Sequence, residues 1–183
     1  PGNWVDLVRA SKPMIAAVNG AAVGVGLTQI LPFDYIIAAP EAKFSARFIK
    51  MGLVPELASS FYIAARTGFG QANRLMLTGE TISAERALNI GLVDEMVEDA
   101  SLLLPRAEEL AQAMGNNPQQ ALRMVKTLIT QNVAADDLSE VQARELRALH
   151  ICYDSPEHQE AIDAFIQKRT PDFKRARLTG PGS

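Results

Sequence analysis

The stretch Lys12-Pro-Met-Ile-Ala-Ala-Val-Asn-Gly-Ala-Ala-Val-Gly-Val-Gly, residues 12–26, constrains the fold of this chain more than any other. Met14 to Val18 is a short uncharged apolar run, the pattern of a strand buried on both faces. Asn19-Gly20 is a turn signal that stops it. Gly24 and Gly26 let the backbone approach a neighbour closely, just before Leu27 to Leu31 begins a helical pattern. A helix N-terminus with glycines at its mouth offers unpaired N–H groups and a positive dipole end to an anion, a developing oxyanion included. Tight packing of the helix on the strand also favours glycine here, and both readings stand at this point. The spacing of Gly20, Gly24 and Gly26 matches neither G-x-G-x-x-G nor G-x-x-x-x-G-K-[ST], so it does not support a nucleotide-binding loop. Residues 14–40 are poor in charge. Asn19, the glycines, Pro32 and Asp34 nevertheless argue for a strand–turn–helix–strand buried in protein, not for a membrane span.

With 183 residues, 48% hydrophobic and 21% charged, the chain has room for one domain with a proper core, or one plus a small appendage. A net charge of −3 and a pI near 5.4 give no reason to expect nucleic acid as a partner. The single cysteine, Cys152, excludes an intrachain disulfide and fits a reducing, cytoplasmic setting. It reads as a small apolar residue on a helix. His150 and His158 lack metal-ligand spacing and read as solvent-facing or capping residues. Near the C-terminus, Lys168, Arg169, Lys174, Arg175 and Arg177 form a basic cluster, either a solvated tail or a contact for phosphates.

Strand 14–18, helix 25–31 and strand 35–39 form one unit, as a buried parallel sheet with right-handed crossovers requires. Residues 43–45 suggest another short strand. Pro55 suits the first turn of a helix running to about Thr67, closed by Gly68. A helix over 71–77 stops at Thr78-Gly79, Ser83 caps one that ends before Gly91, and residues 92–97 read as a strand. Beyond Val97 the pattern is helical: 102–114, a helix opened by Asn117-Pro118, one carrying Leu138, Val141, Leu149 and Cys152, and one opened by Ser155-Pro156 and closed by Thr170-Pro171. Residues 179–183 form a Gly/Pro/Ser tail.

These motifs resemble the crotonase (enoyl-CoA hydratase/isomerase) superfamily. The resemblance rests on Lys12-Pro-x-Ile-Ala-Ala-Val-Asn-Gly20, Ala22-x-Gly-x-Gly26, Phe33-Asp34 with Tyr35 to Ala39, and Ala42-Lys-Phe-Ser45. It continues through Leu77-Thr-Gly-Glu-x-Ile-Ser-Ala84 and Ala87-Leu-x-x-Gly-Leu-Val93 to Phe165-Ile-Gln-Lys-Arg169. It implies an α/β fold: the C-terminal half of a crotonase-type spiral core over residues 1–98, then an all-helical trimerisation region over 99–178. In that family the strand at 14–18 comes midway through the core, after the loop that supplies the first oxyanion N–H. The chain is therefore expected to be the second part of a longer fold, with an exposed sheet edge that would keep it from folding well unaided. The implied substrate is an acyl-CoA thioester whose enolate oxygen is held by two backbone N–H groups, with no metal or redox cofactor. The implied assembly is a homotrimer or hexamer.

Carried over by motif, Val25 supplies one oxyanion N–H, flanked by Gly24 and Gly26. Phe165 and Lys168 match positions that contact the adenine and 3′-phosphate of CoA. Read from the residues alone, Phe165 is core on an amphipathic helix and Lys168 is solvated. Glu56 follows Pro55 among Met51, Leu53, Val54, Leu57 and Ala58, where burial raises a carboxylate's pKa and a helix N-terminus lowers it. An acidic residue in a first helical turn is also explained by the dipole alone. Gly52-x-x-Pro55-Glu56-x-x-Ser59-Ser60 resembles the segment that carries the catalytic glutamate of peroxisomal-type Δ3,Δ2-enoyl-CoA isomerases. The two hydratase glutamates would fall at Thr28 and Phe48, neither an acid. The expectation is therefore a Δ3,Δ2-enoyl-CoA isomerase with Glu56 as its single proton shuttle. The alternatives are an enoyl-CoA hydratase and a non-catalytic acyl-CoA-binding protein. Glu41, Glu80 and Glu95 read as surface or capping charges.

Overall fold

The apolar run at the start of the chain forms β1 (Ile15–Val18), parallel to β3 (Tyr35–Ala38), with Ile15 opposite Tyr35 and Val18 opposite Ala38. A third parallel strand, β6 (Glu95–Met96), pairs with the other edge of β3. Side chains alternate across a strand, and β3 shows what that demands of a central position. Ile36 and Ala38 enter one core with Leu27, Leu31 and Ile63. Ile37 and the following Ala39 enter a second core with Val97 and Leu103. A second sheet sets β2 (Ala21–Val23) parallel to β4 (Lys43–Ser45), with β5 (Ile82–Ser83) antiparallel on β4. The computed structural model describes residues 3–179, which divide into two compact units between Ala111 and Gln112.

Two aspartates tie the ends of these short strands. Asp34 accepts the Met14 N–H at 2.8 Å and an Arg9 guanidinium N–H at 2.9 Å, joining β1 and β3 to α1 (Trp4–Ala10). Asp94 accepts the Ile36 N–H at 2.8 Å and pairs with Arg66 at 2.9 Å. The helix expected over 25–31 is a single turn, α2 (Val25–Thr28). Pro32 has no N–H to extend it, and bonds such as Phe33 N–H to Ile30 C=O tighten the chain instead. A 3-10 turn at Arg47–Met51 follows β4, and α3 (Ser59–Thr67) begins four residues after Pro55. Leu57 and Ala58 stand at φ 53° and 55°, which a right-handed helix cannot include, so Glu56 lies before the helix and not in its first turn. Gly68 closes α3 as expected and opens α4 (Phe69–Thr78), longer than the 71–77 pattern. Ser83 caps α5 (Ala84–Asn89), its hydroxyl accepting the Arg86 N–H.

Helix α6 (Leu103–Gly115) starts against the sheet through Leu103, Ala107 and Leu110, so its first half belongs to the first unit. The second unit holds α7 (Gln119–Asn132), α8 (Leu138–Tyr153), α9 (Pro156–Gln167) and α10 (Phe173–Thr179). Ser155 caps α9, with Pro156 in its first turn. Asn117 does not cap α7: its side-chain amide donates to Ala113 and Met114 carbonyls at the end of α6. The cap comes from Glu157, 3% exposed, whose carboxylate accepts the Gln119 and Gln120 N–H groups and the Arg177 guanidinium. Two members of the basic cluster are thus internal ties, Arg177 to Glu157 and Arg169 to Glu160. The Arg169 hydrogen bond, aided by the Asp172 N–H, holds the Glu160 carboxyl down at about 2. The cluster's continuation into α10 gave no expectation of a helix, and the expected tail lies outside the described residues beyond Thr179. Cys152 sits beside Met124, sulfur to sulfur 3.6 Å. Among the described residues no helix is long and apolar enough to cross a membrane.

Glu157 predicts its own test. Glu157→Ala leaves two half-buried N–H groups and one guanidinium unmet and should cost about 2 kcal/mol in urea unfolding. Arg177→Ala removes a half-exposed partner and should cost less than about 1 kcal/mol. Equal losses for the two variants would contradict the capping role.

Candidate active site

Gly24 joins the end of β2 to α2 at φ 57°, ψ −122°, a conformation open to glycine and closed to residues with a Cβ. Its N–H donates to the Ser45 carbonyl at 2.9 Å, carrying the β2–β4 pairing one step beyond the strands. Its carbonyl accepts the Leu27 and Thr28 N–H groups at 3.0 Å. Val25 is therefore the first helical residue, and its N–H has no carbonyl within the helix to bond. Val25 is 53% exposed, and no heavy atom stands within 4 Å of where a Cβ on Gly24 or Gly26 would lie. Close packing of helix on strand is thus not what calls for glycine here. At Gly24 the backbone conformation does, and at Gly26 the space above the helix mouth is open.

Strands β2 and β4 are parallel with Val23 opposite Ser45, so α2 and the segment after β4 leave the sheet at the same end. Ligands of such sheets gather at the carboxyl ends of the strands. The segment after β4 runs through the 3-10 turn to Glu56, which is exposed. Its neighbours Met51, Leu53 and Val54 are 72%, 59% and 82% exposed, so the apolar burial expected around Glu56 is absent among the described residues. The Glu56 carbonyl accepts the Ser59 N–H at 3.0 Å, fixing its backbone to the start of α3. Gly79, read from sequence only as a helix stop, turns at φ 61° against this segment. A Cβ there would stand 3.3 Å from the Arg47 Cα and 2.9 Å from the Lys50 Cγ. No local sequence signal announces that approach.

Thr28, at the first hydratase position, is fully buried and turns its hydroxyl to the Val25 carbonyl at 3.4 Å. Phe48, at the second, is half-buried in the 3-10 turn. Glu80 and Glu95 are held by Arg74 and Arg106, and Glu41 is exposed. Tyr35 lies beside Glu95, and burial foremost, with that carboxylate's charge, raises its phenol above the usual range. Among the described residues no three His, Cys, Asp or Glu side chains converge as a metal site requires.

Phe165 and Lys168 lie together at the end of α9, in the second unit. Phe165 is 85% exposed and so is not the core residue that amphipathic spacing also allowed. Lys168 ends the helix in a left-handed conformation, φ 54°, with its N–H bonded to the Ala164 and Phe165 carbonyls and its side chain exposed.

The two glycines at the helix mouth should respond differently. Gly24→Ala, forced into a glycine-only conformation, should cost about 2 kcal/mol and lower Tm by about 4–8 °C. Gly26→Ala meets neither strain nor contact and should not lower Tm. Calorimetry of both variants checks this, and a tolerated Gly24→Ala would refute the conformational argument.

Comparison with known proteins agrees with this layout. A family model described as enoyl-CoA hydratase/isomerase matches residues 2–176. An enoyl-CoA hydratase of Alternaria alternata is 39% identical over 164 residues, 89% of this chain and 55% of that protein. The 2,3-dehydroadipyl-CoA hydratase of Escherichia coli (strain K12) is 34% identical over 174 residues, 95% of this chain and 68% of that protein. The crystal structure of an enoyl-CoA hydratase from Bacillus anthracis superposes with a TM-score of 0.89 at 31% identity, covering 93% of this chain and 66% of that one. The chain thus spans between about half and two thirds of the length of these relatives. The strand–glycine–helix mouth and paired sheets are those of a crotonase-type α/β fold, and the chain belongs to the enoyl-CoA hydratase/isomerase family.

Proposed function

We propose that the protein acts on acyl-CoA thioesters as a Δ3,Δ2-enoyl-CoA isomerase, with the Val25 N–H as one of two donors to the thioester oxygen and Glu56 as the proton shuttle. The observation that carries this reading is the distribution of acids at the strand ends. Glu56 stands on the segment after β4, while the two positions that would hold hydratase acids are the buried Thr28 and the apolar Phe48. Moving a double bond needs one base. Glu56 removes a proton from C2, the electron pair of that C–H bond delocalises onto the thioester oxygen, and the resulting dienolate takes the proton back at C4, leaving the double bond between C2 and C3. The oxygen's charge is met by N–H groups aimed at it, a donor type worth roughly 3–4 kcal/mol of transition-state stabilisation. Hydration needs one group to activate water and another to protonate carbon, and neither threonine hydroxyl nor phenyl ring can act as a carboxylate. The thioester itself accepts the charge, so the chemistry calls for no metal or redox cofactor. Met51, Leu53 and Val54 offer apolar surface to an acyl chain.

The hydratase reading is favoured by the names of the relatives, and the same assay separates the two. Intact protein supplied with 3-enoyl-CoA should form trans-2-enoyl-CoA and hydrate 2-enoyl-CoA poorly. Hydration as fast as isomerisation, followed by absorbance, sinks the isomerase reading. In Glu56→Gln, kcat should fall by about two to four orders of magnitude while acyl-CoA affinity barely changes. Unchanged turnover would remove Glu56 as the shuttle, and acyl-CoA binding with no turnover in the unsubstituted protein would favour a binding protein.

The helical unit supports an assembly role. Val125, Ile129, Leu138 and Leu146 are 52%, 58%, 78% and 48% exposed, and Met124, Leu128 and Leu149 line an apolar groove of about 370 Å³ between α7 and α8. Apolar area of this kind calls for a partner, here further copies in a trimer or dimer of trimers. The exposed Phe165 ring and Lys168 ammonium suit the adenine and 3′-phosphate of CoA. Light scattering of the intact protein should give a trimer or hexamer at micromolar concentration, and a stable monomer would refute the assembly.

A further inference from the structure

Among the described residues, Leu57, Ala58 and Lys168 are the non-glycine residues with positive φ, and two of them stand side by side immediately after Glu56. A left-handed conformation is unfavourable for any residue with a Cβ, and consecutive examples are rarer still. Ala58 is exposed, so its methyl group packs against little that would repay that conformation. Glycine would adopt φ 55°, ψ 24° freely. The following residue shows the same tension. Ser59 is 1% exposed, and its hydroxyl finds no hydrogen-bond partner among the described residues. Downstream the chain is firmly seated: the Phe61 and Tyr62 N–H groups bond the Ala58 carbonyl at 3.0 and 3.1 Å, and Ile63 is fully buried. Upstream, the Glu56 carbonyl is bonded by the Ser59 N–H.

We infer that the strained Leu57-Ala58 turn is a positioning element for Glu56, and that Ala58 is the residue whose narrow left-handed basin fixes the course of the backbone from which that carboxylate projects. Alanine in this region has a small range of φ and ψ, whereas glycine has a wide one. The side chain at position 58 therefore reduces native stability and in return narrows the range of backbone positions open to Glu56, whose carboxylate carries no other tie among the described residues. Strain held at a site in this way is a recognised form of pre-organisation. The inference rests on Glu56 as the proton shuttle and adds the device that aims it.

The test uses Ala58→Gly, Ala58→Asn, Glu56→Gln and the double variant Ala58→Gly/Glu56→Gln in the intact protein. Ala58→Gly should raise Tm by about 2–4 °C as the strain is released. Its kcat should fall about tenfold to a hundredfold with KM unchanged, the effect of a catalytic group held less precisely. Ala58→Asn keeps a side chain and tolerates positive φ, so kcat should stay within about twofold of wild type. The double variant should be no slower than Glu56→Gln alone, because the turn acts through that carboxylate. A Tm that does not rise, full kcat in Ala58→Gly, or an equal loss in the Glu56→Gln background overturns the inference while leaving an impaired Glu56→Gln, and with it the proton shuttle, in place. A fully active Glu56→Gln removes the shuttle reading and this inference together.

Discussion

The bond from the Gly24 N–H to the Ser45 carbonyl is the constraint on which the rest of the site depends. It extends the β2–β4 pairing past the last strand residues, so the two chain segments leaving that end start from a common reference. One segment turns at once, through a backbone conformation only glycine adopts, and presents Val25 as a helix start. The other passes the 3-10 turn, pressed against Gly79, and reaches Glu56. Both are irregular or single-turn structures, and neither has the length to hold its own shape. Their precision comes from the strands they leave and from buried residues just beyond, Leu27 and Ile63, which share one core.

Strands of two to four residues cannot secure a sheet by ladder bonds alone. The chain compensates with carboxylates at the strand ends. Asp34 and Asp94 each accept a backbone N–H and pair with an arginine, and those arginines reach further carbonyls, Pro32 for Arg9 and Phe33 for Arg66. Hydrogen bonds to charged groups are the stronger kind, and here each joins elements far apart in sequence. Glu157 does the same for the helical unit, where one buried carboxylate replaces the side-chain cap that Pro118 cannot supply to α7.

Much of this was legible in the residues. The uncharged run at 14–18, the parallel unit with 35–39, the closing roles of Gly68 and Gly79, and the Ser83 and Ser155 caps all follow from local chemistry acting over a few positions. What escaped has an equally physical cause. The strands at 21–23 and 82–83 are too short to show a period. Asn117-Pro118 has the composition of a helix start, but the amide turned back to the preceding helix and a distant Glu157 took its place. At Leu57-Ala58 neither residue signals positive φ, since glycine or asparagine is the usual sign, so the helix seemed to begin at Pro55. In the site, Gly24 was readable because its backbone conformation dictates residue type, whereas Val25 and Gly26 were singled out by the family resemblance. Glu56 was readable as a candidate acid, but its exposure was not, because burial depends on what packs over a segment and not on the segment's own apolar neighbours.

The acids of the first unit divide by how they are engaged. Asp34, Asp94, Glu80 and Glu95 each meet an arginine, and the first two also meet backbone N–H groups. An acid so held serves the fold, because its direction is tied to the partner. Among the described residues the Glu56 carboxylate meets no arginine or lysine and accepts no hydrogen bond, and its place is set by the backbone that carries it. A shuttle must take a proton and release it, which a carboxylate clamped by a guanidinium does poorly. Fixing such a group by the chain to which it is attached, and not by a charge beside it, leaves the carboxylate itself open to a substrate. On the proposed reading of Glu56 as the shuttle, the strained turn beside it and the absence of a cation on its carboxylate among the described residues serve one requirement.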